Sequence, residues 1–179
     1  MPQVLRSLIA ITALFVTFGA TPSSANNGGG LSLPSPTGPS ASDKSSRFPV
    51  KARVSWGDGL GAGRGHQGQD LMASCRKPIV AAKAGRVTRV AYQASGAGNY
   101  AVVRGTSSRF DYVYMHMLKK PRVSVGQRLK AGQLIGWVGS TGRSSACHLH
   151  FEMWTRPGWY KGGKVSNPTP YLKRWRRSR

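Results

Sequence analysis

The sequence is poor in acidic residues, and this imbalance limits the classes of partner that the protein would attract. Only five of its 179 residues are Asp or Glu, against 27 Lys and Arg, and the formal net charge is +22. A positive field of this strength attracts polyanions. Nucleic acid, anionic wall polymers and lipid head groups all fit that description, so charge alone does not choose between them.

Long apolar runs are also scarce. The one such run covers residues 8–20, follows a single basic residue, Arg6, and ends in small residues up to Ala25. A transmembrane helix needs about 20 apolar residues, so the run is too short to favour a membrane anchor. Its layout is typical of a secretory signal peptide over residues 1–25, cleaved after Ala25. We therefore expect a secreted, periplasmic or cell-wall protein without a transmembrane span.

The sequence has just two cysteines, Cys75 and Cys147. In an exported protein an even pair indicates one disulfide, because the compartment is oxidising. Free thiols are one alternative. Cys147 as a metal ligand is another, but in a strand it would face away from the side shared by His148 and His150. The bridge would close a loop of about 70 residues and contribute roughly 4 kcal/mol in the chain-entropy model.

Composition divides the remaining chain into a linker, one domain and a tail. Residues 26–47 are rich in Gly, Ser and Pro, which predicts a flexible linker. Over residues 48–172, short segments rich in Val, Tyr, Ile and Phe are punctuated by turn residues, which predicts an all-β domain. Residues 173–179 include five basic residues. We expect them to form a disordered tail that tethers the protein to anionic wall polymers or the outer surface.

The predicted domain has few or no helices, because no stretch of ten or more residues shows a convincing helical period. Two x-Ala-Gly-x turns, around Ala84 and Ala131, resemble the turns of lipoyl- and biotin-carrier domains. We therefore expect antiparallel sheets in a duplicated hybrid motif or barrel-sandwich-like domain.

Histidine is scarce as well, and two of the four histidines form a pair. His148 and His150 are two residues apart, so in a strand both imidazoles face the same side. Leu149 and Phe151 then face the other side and can enter the core. An apolar stripe opposite a His-x-His pair is good geometry for a metal site.

The other histidines lie earlier in the chain. His66 and Asp70 are four apart among glycines that argue against a helix, and an extended segment would place both on one face. His116 lies in a strand-like segment. Alternation there puts it on the face of Tyr112 and Tyr114, with Val113, Met115 and Met117 on the opposite face.

Each of these spacings is weak alone, but the five side chains together favour a metal-dependent hydrolase. A catalytic zinc takes three protein ligands and keeps a fourth position for water. Two His and one Asp form an ordinary ligand set for that metal, and two imidazoles are then left over. Peptide hydrolysis needs a base, an acid and a donor to the developing oxyanion, and imidazoles beside the metal can fill those roles.

These motifs resemble the lysostaphin-type peptidoglycan metalloendopeptidases. That family has His-x-x-x-Asp, then Tyr-x-His, then His-x-His-Phe-Glu. The present chain has His66 to Asp70, Tyr114 to His116 and His148 to Glu152 in the same order. The run from Gly136 to Gly142 and the Asn-Pro-Thr-Pro run after it also resemble the family. The resemblance covers about residues 48–172.

The resemblance implies a role for each candidate side chain. His66, Asp70 and His150 are expected to bind Zn²⁺, while His116 and His148 stabilise the transition state or move protons. Peptidoglycan is the implied substrate, and we expect a monomer with no specific nucleic-acid partner. The segment over residues 73–79 departs from the family pattern, and the loops at 94–99 and 106–110 are short, which bears on cleavage specificity.

Two other functions fit part of the sequence. Degenerate members of such a family, which lack some of these groups, only bind or activate partners, so a non-catalytic wall-binding or regulatory module is one alternative. A secreted polyanion-binding protein is the other, and it is supported by charge alone. The intact set of five side chains favours an enzyme that cuts cross-links or stem peptides.

Overall fold

The computed structural model of the chain describes residues 45–63 and 65–178. The predicted signal peptide and most of the predicted linker lie outside the described residues. Within the described part there are ten strands and one helix: β1 Ser55–Trp56, β2 Gln69–Met72, β3 Pro78–Val80, β4 Gly85–Gln93, β5 Gly98–Gly105, β6 Phe110–Met117, β7 Arg128–Leu129, β8 Leu134–Trp137, β9 His148–Thr155, β10 Val165–Ser166 and α1 Thr169–Arg177.

The strands form two sheets in which every pairing is antiparallel. The large sheet has eight strands in the order β1-β2-β9-β6-β5-β4-β7, with β10 also paired to β9, and the small sheet is β3-β8. The predicted all-β, antiparallel class with few helices is therefore confirmed.

The two central strands, β6 and β9, carry the core. They are buried along almost their whole length because the sheet is covered on both faces. On one face, Tyr114, Phe151 and Leu149 belong to the main core and are fully buried. The Tyr114 hydroxyl, which a dry core would leave unsatisfied, accepts a hydrogen bond of 2.9 Å from the backbone N–H of Ala82.

A β-bulge in β6 places His116 differently from the predicted alternation. The register against β5 shifts so that Met115 and His116 together stand opposite one residue. His116 has a φ of 59°, a left-handed conformation that the bulge imposes. The extra residue returns Met117 to the main core with Tyr112 and Tyr114 and turns His116 away from it. The predicted grouping of His116 with the two tyrosines, and of Met117 with the opposite face, was therefore wrong.

The ordered domain begins earlier than predicted. Ser46 forms a bridge with Lys83 and is 1% exposed. The backbone N–H of Arg47 donates a 2.8 Å hydrogen bond to Ala82 O. The last residues assigned to the linker thus pair with the domain, and the boundary at residue 48 lies too late in the chain.

The C-terminal segment is helical, so the prediction of a disordered tail was wrong up to Arg177, the last residue of α1. Pro170 fits the first turn, where a backbone N–H has no helical partner. The Asn167 side chain accepts a 3.0 Å hydrogen bond from Thr169 N. Leu172 and Trp175, three residues apart, are buried on one side of the helix.

The basic residues of α1 lie on its exposed side: Lys173, Arg174, Arg176 and Arg177. Three of them lie in the last turn, where positive charge is favourable to the helix dipole. No helix in the described part of the chain is long and apolar enough to cross a membrane.

Replacing Trp175 with Ala should lower the free energy of unfolding by about 3–5 kcal/mol, the usual cost of deleting a buried aromatic side chain. Trp175 is 3% exposed, and its ring lies 6.2 Å from that of Tyr112 and 6.3 Å from that of Phe151. Arg177→Ala, on the exposed side of the same helix, is the matched control and should change stability little. Urea denaturation of both variants measures the difference. Equal midpoints would show that α1 is not part of the core.

Candidate metal centre

The antiparallel pairing of β2 and β9 brings two of the predicted ligands together. Its register places Asp70 directly opposite His150. Along β9, Leu149, Phe151 and Met153 pack into the main core. The intervening side chains, His148, His150 and Glu152, lie on the other face, as the alternation predicted for the two histidines.

His66 completes a three-residue cluster with this pair. Its Nε2 lies 3.1 Å from Asp70 Oδ1, and His150 Nδ1 lies 2.9 Å from the same oxygen. One potential ligand atom from each residue lies within 4.8 Å of the other two. The three side chains are between 9% and 19% exposed, so the cluster is open on one side. Two imidazole nitrogens and a carboxylate with an open side suit Zn²⁺.

His66 reaches the cluster from a glycine-rich loop, because β2 begins only at Gln69. The backbone oxygen of Gly59 accepts a hydrogen bond of 2.9 Å from His66 Nδ1. That bond selects the tautomer in which Nε2 is free to bind a metal. The prediction that His66 and Asp70 share one face of an extended segment was wrong, although the structure does bring them together.

Gly68 lets this loop pass against the cluster. A Cβ at this position would lie 2.5 Å from Phe151 O and 2.9 Å from His150 Nε2, closer than any side chain tolerates. Glycine is therefore required for a close approach of backbone to a candidate ligand, and not for a special turn.

Glu152 holds the other side of His150. Its Oε1 lies 3.0 Å from His150 Nε2, and its Oε2 accepts hydrogen bonds from the indole N–H groups of Trp154 at 2.7 Å and Trp159 at 2.9 Å. With Nε2–H donating to Glu152, the Nδ1 of His150 is the nitrogen left for a metal. A carboxylate behind a ligand histidine orients the ring and makes it more basic.

The negative charges of Asp70 and Glu152 strongly favour a positive charge at His150. Burial alone lowers the pKa of His150, but its hydrogen bonds with Asp70 and Glu152 outweigh burial and raise the pKa to about 9. Burial raises the pKa of Asp70, but the hydrogen bond from His150 and the nearby histidines outweigh it and hold the pKa below its ordinary value. A bound cation would compensate the same negative charges.

The two remaining histidines line the open side of the cluster. His116 Nδ1 donates to Thr141 O at 2.8 Å, and His148 Nδ1 donates to Ala146 O at 2.9 Å. Their ring centroids are 4.7 Å apart, and His148 Nε2 lies 3.6 Å from Asp70 Oδ1. Burial lowers the pKa of His116 to about 4, against the opposing effect of its bond to Thr141, so the ring is neutral at pH 7.

The structure contains the predicted disulfide between Cys75 and Cys147. Cys147 directly precedes β9, and Cys75 follows β2 by three residues. The bridge therefore joins the ends of the two strands that carry Asp70 and His150. Cys147 packs against the main core, away from the face of His148.

The cluster lies in a groove with a cavity volume of about 980 Å³. All four histidines line it, and so do Asp70 and Glu152. The groove thus combines a three-ligand site that has one open side with two further imidazoles. This combination is typical of a metal-dependent hydrolase.

Comparison with known proteins identifies the family to which the chain belongs. The profile of Peptidase family M23 matches residues 64–168, more than half of the chain. The protein belongs to this family, and the resemblance to lysostaphin-type enzymes is confirmed.

Individual relatives agree with this assignment. Glycyl-glycine endopeptidase ALE-1 of Staphylococcus capitis is 37% identical over 111 residues, which cover 62% of this chain and 30% of that protein. Murein hydrolase activator NlpD of Salmonella dublin is 36% identical over 143 residues, covering 77% of this chain and 34% of that protein. The solved catalytic domain of the antimicrobial peptidase lysostaphin from Staphylococcus simulans has a TM-score of 0.61 and 33% identity, covering 67% of this chain and 92% of that one. The chain thus spans about a third of the length of these two curated relatives.

Several residues of the site carried no clear signal in the sequence. Gly59 and Thr141 act through backbone oxygens, which any residue provides. Trp159 is 7 residues from the carboxylate that it binds, in a loop after β9. Glu152 belongs to the His-x-His-Phe-Glu motif. Its two-residue spacing from His150 on a strand was the signal that could have placed it beside that histidine.

Replacing Glu152 with Gln should weaken zinc binding by about 10–100-fold, because the amide keeps the shape but loses the charge behind His150. Asp111→Asn is the matched control, since Asp111 is also a buried acid of the sheet but pairs with Arg104. Competition for zinc with a chromophoric chelator measures both affinities under conditions where both variants are folded. Equal zinc affinities for the two variants would contradict the role given to Glu152.

Reduction of the disulfide should lower thermal stability and make zinc easier to strip. The bridge spans 72 residues, for which the chain-entropy model gives roughly 4 kcal/mol. Thermal melts and chelator titrations with and without reductant test this. A double Cys75→Ser, Cys147→Ser variant should already be destabilised and should not respond to reductant. An oxidised protein that melts and loses zinc like this variant would refute the idea.

Proposed function

We propose that this protein is an exported zinc metalloendopeptidase that hydrolyses peptide bonds in peptidoglycan cross-links or stem peptides. The observation that carries the proposal is the convergence of five side chains in one groove. Three form a metal-ligand geometry, and two further imidazoles face the same open side. The names of the relatives, an endopeptidase and a murein hydrolase activator, support peptidoglycan as the substrate.

In this proposal His66 Nε2, one oxygen of Asp70 and His150 Nδ1 hold the zinc. Zinc would supply Lewis-acid chemistry, activating a water molecule and polarising the scissile carbonyl. The protein's own contribution is to orient each ligand through a fixed partner at its other nitrogen. Gly59 O performs this for His66, and Glu152 performs it for His150.

His116 and His148 are the proposed acid–base pair. Each has its Nδ1–H fixed to a backbone oxygen, so each presents Nε2 to the groove. A neutral Nε2 can accept the proton of the attacking water, and the resulting imidazolium can donate it to the leaving amine. Once it has taken up that proton, the ring's Nε2–H can also donate a hydrogen bond to the oxyanion that develops on the carbonyl.

Export rests on the signal-peptide pattern over residues 1–25. The disulfide is consistent with it, because such bridges persist mainly in oxidising compartments. We propose that the exposed basic side of α1, in place of a disordered tail, contacts anionic wall polymers.

Substitution of three of the five side chains should separate ligands from acid–base groups. His150→Ala should lose zinc and activity together. His116→Ala and His148→Ala should keep zinc while the rate falls by about 10²–10⁴-fold. Zinc content by mass spectrometry and release of fragments from purified sacculi are the two readouts. Full zinc in His150→Ala, or near-normal turnover in both other variants, would refute the assignment.

A regulatory role is the second candidate, and the similarity to NlpD favours it. A regulator would stimulate a separate wall hydrolase and would not itself need the metal. Incubating the purified protein with sacculi alone, and then with an added wall hydrolase that needs no metal, with and without chelator, distinguishes the two. Chelator-sensitive release by the protein alone supports the enzyme. Chelator-insensitive stimulation of the added hydrolase supports the regulator.

A further inference from the structure

In the described part of the chain, the groove has no exposed negative charge beyond the candidate ligands. Among the acidic side chains in the described part of the chain, Asp70 and Glu152 are engaged with histidines, and Asp111 is 2% exposed and paired with Arg104. Asp58 is exposed but does not line the groove. Two arginines do line it, Arg89 and Arg143.

Arg143 lies beside the proposed acid–base histidines. It belongs to the loop between β8 and β9, in which Thr141 O accepts the hydrogen bond from His116 and Ser144 Oγ lies 3.4 Å from His148 Nδ1. The backbone N–H of Arg143 donates to Gly96 O at 2.8 Å, which anchors the loop. In the described residues its guanidinium has no ion pair or hydrogen bond to a side chain, and the residue is exposed.

Arg89 lies on the side of the groove formed by Trp159. Its guanidinium carbon stands 5.9 Å from the centre of the Trp159 ring, and that indole donates to Glu152. No carboxylate in the described part of the chain pairs with Arg89. The stacking positions the guanidinium plane but leaves its N–H groups available.

The walls also offer apolar contacts. Tyr92 and Tyr160 are 61% and 67% exposed, and both line the groove. A peptide with side chains can pack against these rings, whereas a run of glycines cannot. Guanidinium groups bind carboxylates through two parallel hydrogen bonds, so the unpaired arginines call for anions on the ligand.

From these observations we infer that the groove selects peptides carrying free carboxylates next to the scissile bond over neutral glycine bridges, with Arg143 and Arg89 as the specificity-determining residues. This inference rests on the proposed peptidase function and specifies its substrate class.

A binding experiment tests the inference separately from turnover. The ligands are a cross-linked stem peptide with free carboxylates and the same peptide with those carboxylates amidated. Titration calorimetry uses the full zinc-loaded chain carrying His148→Ala, which slows cleavage by about 10²–10⁴-fold during the measurement. Amidation should weaken binding about tenfold, the size of one charge-assisted hydrogen bond at a partly open site. Adding Arg143→Gln or Arg89→Gln should reduce that discrimination to below about twofold.

Arg128→Gln is the matched control, because Arg128 is an exposed arginine on β7 that does not line the groove. It should retain the full tenfold discrimination. Equal affinity for the two peptides, or discrimination that survives both groove substitutions, would overturn the inference.

Turnover by the unsubstituted protein provides the second arm. Cleavage of the carboxylated peptide in preference to pentaglycine, with Arg143→Gln raising KM at unchanged kcat, supports the inference. Preferential cleavage of pentaglycine overturns it while leaving the peptidase function intact. Cleavage of neither peptide overturns the proposed function, and the binding arm still decides whether the arginines recognise carboxylates.

Discussion

The antiparallel register between β2 and β9 is the constraint on which the site depends. It places Asp70 opposite His150, two residues that are 80 apart in sequence. Because side chains alternate along a strand, a slip of one residue would send His150 into the core and Leu149 into the groove. The fully buried Leu149 and Phe151 therefore determine where the metal side chains point, and the disulfide at the ends of the same strands reinforces the register.

The four histidines share one design. Each has one ring nitrogen bound to a fixed acceptor and the other directed to the groove. The acceptors are Gly59 O, Thr141 O, Ala146 O and a Glu152 oxygen. Such bonds set the tautomer and orientation of each ring before any metal or substrate binds, so little reorganisation is needed during a reaction. The groove also carries charges of both signs. Its carboxylates attract a cation, and its two arginines are free to bind an anionic ligand.

The parts of this arrangement that follow a regular period could be predicted from sequence. The alternation of β9 separates its core residues from its histidines, and the prediction for that strand is confirmed. The face of His116 could not be obtained in this way, because one inserted residue reverses the alternation and nothing in the local sequence marks the bulge. His66 approaches through a loop, and loop paths depend on close contacts such as that of Gly68 with Phe151 O. Helix α1 was not predicted from the sequence, because its basic residues outnumber its buried ones. Trp175 holds the helix in place only by packing against the core formed by β6 and β9. The ligand roles themselves remain predictions.

The central claim is that a single zinc ion binds among His66, Asp70 and His150. Anomalous diffraction at the zinc absorption edge, from crystals of the zinc-loaded protein, tests it most directly. The account predicts one peak about 2.0–2.2 Å from His66 Nε2, an Asp70 oxygen and His150 Nδ1. A strong peak held instead by His116 and His148, or no peak in the groove of a protein that carries stoichiometric zinc, would contradict it.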